Sequence, residues 1–230
     1  MKKILLIAVV LFATLSLNTL NAQVKWGFKM GADFSNLKID IGGIDANDAL
    51  KTKRMITPRL GFIIEVPVND ELFFQTGVFG AMKGIKFDSE RVVDGESVSS
   101  KEYEVILCMD FPINFGYKYD MDGAKLFAMA GPVISYNIYS TLLYQTDGKD
   151  WNNEHETIGT TVEDTYKPLN LGINLEGGIE VSRFQFTVFY THGLSNLSNF
   201  DGGTIKTNVF GLTAAVKFGQ IDSRRGGYRR

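Results

Sequence analysis

Residues 102–119 read EYEVILCMDFPINFGYKY. Every second side chain is apolar or aromatic: Tyr103, Val105, Leu107, Met109, Phe111, Ile113, Phe115, Tyr117 and Tyr119. Between them stand Glu102, Glu104, Asp110, Asn114, Gly116 and Lys118. Period two belongs to a strand, whose successive side chains point to opposite faces. The run is longer than the ~9–11 tilted residues that cross a bilayer.

The same alternation recurs at 24–34, 59–68, 72–82, 125–139, 169–181, 184–191 and 206–218. The run at 72–82 is the least clean, because Phe73 and Phe79 fall among the polar positions. Connections alternate in length. Asn69-Asp70, Met121-Asp122-Gly123 and Ser182-Arg183 read as tight turns; 40–57, 88–101 and 146–168 are long and polar, and 199–205 is intermediate. Short turns on one side and long loops on the other is the plan of an outer-membrane barrel, with short turns in the periplasm. The predicted fold is all-β: an eight-stranded antiparallel up-and-down transmembrane β-barrel with a charged, side-chain-filled interior.

Alternation also fits a soluble barrel, which has apolar side chains inside. Two features favour the inverse. The polar faces carry Lys25, Lys29, Asp33, Arg59, Glu65, Glu104, Asp110, Lys118, Lys125, Glu176, Glu180 and Lys217 among small glycines, six basic and six acidic. Mixed charge beside glycine suits a narrow lumen where ion pairs must fit. Tyr103 at one end of the 102–119 face, with Tyr117 and Tyr119 at the other, resembles an aromatic girdle at two lipid interfaces. Eight strands enclose only enough space for side chains, so no open pore is expected. Pro112 and Pro132 fall inside strands of a closed barrel, and an irregularity is expected at each.

Residues 1–22, MKKILLIAVVLFATLSLNTLNA, have two lysines, an apolar run and small Ala22 before a cut. This is the layout of a secretory signal peptide. The alternative, a membrane anchor, has too short an apolar core, and no Cys follows for lipidation. The expected division is 1–22 signal peptide, 23–219 barrel and 220–230 basic periplasmic tail. The mature chain would carry 22 basic against 26 acidic residues, a balance of −4. That balance excludes a nucleic-acid binder driven by bulk positive charge. A 44% hydrophobic content excludes a disordered chain. One Cys and two His exclude an intrachain disulfide and a multi-Cys metal site.

Four stretches resemble the PorT-like outer-membrane β-barrel family of Bacteroidetes-type bacteria. Val24-Lys25-Trp26-Gly27-Phe28-Lys29-Met30-Gly31 is similar to its first strand, and Met109-Asp110-Phe111-Pro112-Ile113 through Tyr117-Lys118-Tyr119 to its "IP" strand. Ala130-Gly131-Pro132 is similar to its "GAGP" strand, and Tyr190-Thr191-His192-Gly193-Leu194-Ser195-Asn196-Leu197 to its "GLTN" segment. The resemblance spans about Gln23 to Phe218 and implies an outer-membrane location. One branch of the family is linked to protein secretion and gliding. Such barrels usually end on an aromatic residue; here Phe218 is followed by GQIDSRRGGYRR. That tail reads as a periplasmic extension or as a basic contact for lipid, cell wall or a partner.

Other chemistry is sparse. His192 and Ser195 suggest acyl transfer, but a spacing of three along a strand puts them on opposite faces. Loop 146–168 holds Asp147, Asp150, Glu154, Glu156, Glu163 and Asp164 against Lys149 and Lys167 without the EF-hand spacing. Trp151 within it is a partner anchor or a rim-packing residue. Asp94-Gly95 suits a hairpin turn, so the third and fourth strands are expected to project as a ribbon whose edge can pair with another chain. Cys108 reads as a small buried residue.

The expectation is a non-enzymatic outer-membrane protein with no cofactor, acting structurally or through its extracellular loops. The alternatives are a subunit of a secretion or gliding assembly and, third, a lipid-modifying enzyme. Expected partners are outer-membrane lipid and an envelope protein reached through loops 40–57, 88–101 or 146–168 or through the tail 220–230, with no nucleic acid.

Overall fold

A computed structural model describes residues 24–47, 52–93, 96–146, 150–200 and 202–219, with backbone only over 88–93, 96–99 and at 146. The segments 1–22, 94–95 and 220–230, and with them the expected signal peptide, hairpin turn and basic tail, lie outside the described residues.

Eight long strands form a closed ring: β1 (Lys25–Ile41), β3 (Thr52–Pro67), β4 (Leu72–Val93), β5 (Glu96–Met121), β6 (Ala124–Thr146), β8 (Leu169–Val181), β9 (Phe184–Gly193) and β10 (Gly203–Phe218). Each pairs antiparallel with the next, and β10 closes on β1. Two short strands are appended, β2 (Ile44–Asp45) on β1 and β7 (Asn152–Glu156) on β6. Around the ring, Phe34 faces Phe210, then Tyr190, Leu175, Ala130, Phe115, Phe74 and Val66. Val66 lies next to Glu65, the partner of Lys25, so the path returns to β1 near Val24, not at Phe34. That stagger tilts the strands and sets a bore that side chains fill.

The apolar side chains of the lower wall face outward. Phe28, Met30, Leu60, Phe115, Leu175 and Phe186 are each at least half exposed, a surface only lipid covers without cost. The alternating Lys29, Asp33, Arg59, Glu65, Asp110 and Lys118 are buried inside.

Higher up, the phase of hydrophobicity reverses without a change of strand. On β1 the inward positions become Leu37 and Ile39, and the outward ones Asn36 and Lys38. On β4 the inward side chains become Ile85 and Phe87, with Lys86 outward. Leu37, Ile85 and Ile106 form a buried cluster with Tyr166 and Leu197 from the loops, flanked by Ile39, Phe87, Ile158 and Ile205. The barrel is therefore inverted within the membrane and of ordinary soluble polarity above it, where a dry lid closes the bore.

This reversal corrects the loop boundaries. Strand pairing continues through most of 88–101, to Val93↔Glu96, and β3 begins at Thr52, inside the expected loop 40–57. The ribbon expected around Asp94-Gly95 is thus carried by a continuous ladder. β7 lies within 146–168. Tyr103 stands six residues beyond Met109 on the projecting sheet, opposite Lys86 and beside Trp151.

Each proline interrupts a ladder without shifting its register: pairing lapses between Thr76↔Ile113 and Phe79↔Asp110 beside Pro112, and between Pro112↔Val133 and Phe115↔Ala130 beside Pro132. Thr76 Oγ1 donates to the Pro112 carbonyl at 2.8 Å. A side-chain hydroxyl thus ties the strands where proline has no N–H to give. The register shifts fall elsewhere, between Leu107 and Cys108 on the β6 side and between Arg54 and Arg59 on the β4 side.

Candidate functional site: a neutralised lumen beneath a projecting sheet

The inward phase of each strand brings the luminal charges into three groups, each with equal numbers of cations and anions. In the upper group, Arg59 Nε donates to both Asp33 oxygens at 2.9 Å and Nη2 to Asp110 Oδ2 at 2.7 Å. Lys83 Nζ donates to Asp110 Oδ1 at 2.7 Å and to Ser135 at 2.8 Å. In the middle, Glu176 accepts from Lys29, from Asn114 at 3.0 Å and from Asn174 at 2.7 Å. In the lower group, Glu65 and Glu180 share Lys118 and Lys217, the latter at 2.9 and 2.6 Å. Lys25 reaches Glu180 at 3.7 Å from the periplasmic rim.

The members come from strands far apart in sequence, so only closure of the ring assembles them. Buried charges are tolerable when paired and hydrogen-bonded. Beside Lys29, Arg59, Asp110 and Glu176 the free space is ≈ 20 Å³, room for about one water.

Two of the twelve sequence-derived positions stand apart. Lys125 pairs with Asp120 at 3.4 Å on the periplasmic rim. Glu104 faces inward, but it pairs with Leu142, beyond the start of β8 opposite Tyr136. Lys83, absent from the sequence-derived set, is buried at the centre of the upper group. Its alternation with Gln75 and Phe79 was the available signal.

Four inward phenylalanines complete the filling. Phe73, Phe79, Phe127 and Phe189 each stand directly opposite a glycine, respectively Gly116, Gly61, Gly178 and Gly211. A Cβ at Gly116 would strike the Phe73 ring, and one at Gly61 the Phe79 ring. Glycine opens the space in which the ring lies flat against the wall. The rings then meet the cations: Lys118 is 4.4 Å from the Phe73 centroid, and Arg59 is 5.6 and 5.0 Å from Phe79 and Phe189.

Above the membrane, β4, β5, β6 and β7 form a projecting sheet with β7 at its edge. Trp151 packs on Tyr103 at 5.6 Å between centroids and is half exposed. Burial, and secondarily Glu156, push the Glu104 carboxyl up to about 7. The folded sheet then holds a proton that the unfolded one releases. This stabilisation is whole below the ordinary value of 4.5 and is lost as pH rises through about 7. Hydrogen-exchange protection of β5–β7 amides, corrected for intrinsic rate, is expected to fall over that window in the native chain and stay flat in Glu104→Gln.

The remaining chemistry stays dispersed. His192 Nδ1 meets Asn208 at 2.8 Å outside the wall, whereas Ser195 Oγ donates to Asn170 at 2.7 Å. Cys108 is buried beside Asp110. Among the described residues no three His, Cys, Asp or Glu side chains gather as metal ligands.

The chain is similar to several solved barrels. Ail, the attachment invasion locus protein of Yersinia pestis, aligns at 11% identity over 85% of this chain and 99% of that one, with a TM-score of 0.32. Neisserial surface protein A aligns at 12% over 83% and 97%, TM-score 0.35. The outer membrane protease OmpT from Escherichia coli aligns at 8% over 88% and 99%, TM-score 0.35. No curated protein matches it in sequence. A family model described as the outer membrane protein beta-barrel domain matches residues 16–199, most of the chain and nearly all its staves, and the chain belongs to that family.

Proposed function

We propose that this outer-membrane barrel is a closed, non-enzymatic platform that presents the β4–β5–β6–β7 sheet to a protein partner at the cell surface. The observation that carries the reading is the continuous ladder to Val93↔Glu96, well beyond the ends of β8 and β9, with β7 on its margin. A strand edge offers unpaired backbone groups to an incoming strand. The filled lumen and the apolar lid support a barrel without an open pore. Residues 1–22 would direct export, and 220–230 would remain in the periplasm as a basic extension.

A second reading, service in a secretion or gliding assembly of the PorT-like kind, rests on the four stretches at 24–31, 109–119, 130–132 and 190–197. It uses the same sheet or the tail as the contact.

The test places a photocrosslinking residue at Asn153 on β7, and separately at lipid-facing Leu171, in intact cells. A discrete protein adduct is expected at 153 and not at 171, lost when 88–101 is replaced by a short turn, with no steady current in planar bilayers. Identical adducts at both sites, or a stable porin-like conductance, would contradict the platform.

A further inference from the structure

β1 and β10 stay paired to their tips at Ile41↔Gly203, across the ring from β6 and β7. Loop residues 162–165 and 198–200 fold against these tips and leave a cleft of ≈ 340 Å³. Its floor is the cross-strand pair Ile39↔Ile205, the margin of the dry lid. Around the floor stand Ile41, Val162 and Phe200, which are 54, 82 and 70% exposed. Phe200 is fixed in the open: its N–H donates to Ser198 Oγ at 3.0 Å, and a Cβ at Gly203 would sit 3.3 Å from its ring.

Height excludes lipid as the cover. Ile41 follows Phe34 by seven residues on β1, and Phe34 meets lipid-facing Phe210 at 6.0 Å. On a tilted strand that is roughly 18 Å above the aromatic pair, beyond a headgroup layer of about 5–8 Å. A contiguous apolar patch in water marks an interaction site.

Charge selects the partner. Asp40, Glu163 and Asp164 edge the cleft, and among the described residues no Lys, Arg or His lines it. Lys38 and Lys206, the nearest bases along the two strands, lie outside the lining, and Lys38 is engaged by Asp45 at 3.7 Å. Asp40 Oδ1 accepts from Gly43 N and Asp164 Oδ2 from Thr161 N, both at 2.9 Å. These bonds aim the two carboxylates and use only one oxygen of each.

We propose that the cleft takes an apolar side chain of a partner protein, flanked in that partner by lysine or arginine. The apolar side chain is the anchor on Ile39 and Ile205, and the acidic edge steers and selects the basic neighbours. The site is separate from the β4–β7 sheet and does not depend on that sheet having a partner.

The whole barrel in lipid nanodiscs, with labelled isoleucine methyls, is titrated with three N-acetylated tripeptide amides: lysyl-leucyl-lysine, lysyl-glycyl-lysine and glutamyl-leucyl-glutamate. The Ile39, Ile41 and Ile205 signals should move with the first, at several-fold higher concentration with the second, and not with the third. Asp40→Asn/Glu163→Gln and, separately, Phe200→Ser should each weaken the first titration several-fold. If the double variant does not fold, Glu163→Gln alone and a rise in salt give the same comparison. Equal response to all three peptides, no response at these isoleucines, undiminished binding by the variants, or calcium chloride moving the same signals and displacing the peptide would each overturn the proposal.

Discussion

Arg59→Ala is expected to destabilise the folded barrel by about 3–5 kcal/mol, the cost of removing one partner from a buried ion group. Arg59 is the hub of the upper luminal group, with bonds to Asp33 on β1 and Asp110 on β5. Without it Asp33, fully buried, has no cationic partner among the described residues, and Asp110 keeps Lys83 alone. The guanidinium also fills the space between Phe79 and Phe189, so packing is lost as well as charge. Arg59→Lys keeps the charge but not the fork that spans two carboxylates, and an intermediate loss is expected. Replacing Arg59 and Asp33 together by apolar residues of similar volume should recover much of the stability. Heat-modifiability on detergent gels reads all three; a loss under about 1 kcal/mol for Arg59→Ala would mean that the network is incidental.

The second large effect concerns the ring and glycine pairs. Gly116→Val should cost at least about 1–3 kcal/mol by overpacking, since its Cβ would strike the ring of Phe73 opposite and the Met129 Cβ. Phe73→Gly alone should cost roughly 3–5 kcal/mol through the cavity left beneath Lys118. Exchanging the two, Phe73→Gly with Gly116→Phe, returns a ring and a gap to the same cross-strand level. The exchange should be more stable than the sum of its single changes by about 1–3 kcal/mol, the coupling expected of residues in contact. Strict additivity would show that the pairing is accidental.

The membrane wall was legible in the sequence because lipid imposes one rule on every stave. The run at 169–181 coincides with β8, Leu169–Val181, where no phase reversal interrupts the alternation. Where lipid ends, the rule ends. Leu37 and Ile85 are apolar on the phase that was charged lower down, so alternation alone closes the strand too early. Phe73 and Phe79 look misplaced for a related reason: their explanation is a glycine on another strand, and period two carries no register. Membership of the charge groups depends on register as well. That is why Glu104 and Lys125, on the right phase, lie above and below the groups their phase suggested. Phase gives the face; the stagger of the closed ring gives the neighbours.

The central claim is the direction of that phase within the membrane. Nitroxide labels placed one at a time at 170–175, in barrels reconstituted in lipid, test it through collision with oxygen dissolved in the acyl region. Labels at 171, 173 and 175 should collide readily and those at 170, 172 and 174 should not, with little access for a water-soluble relaxation agent at 172 and 174. The opposite phase, with 170, 172 and 174 oxygen-exposed, or equal access at all six positions, would contradict the account.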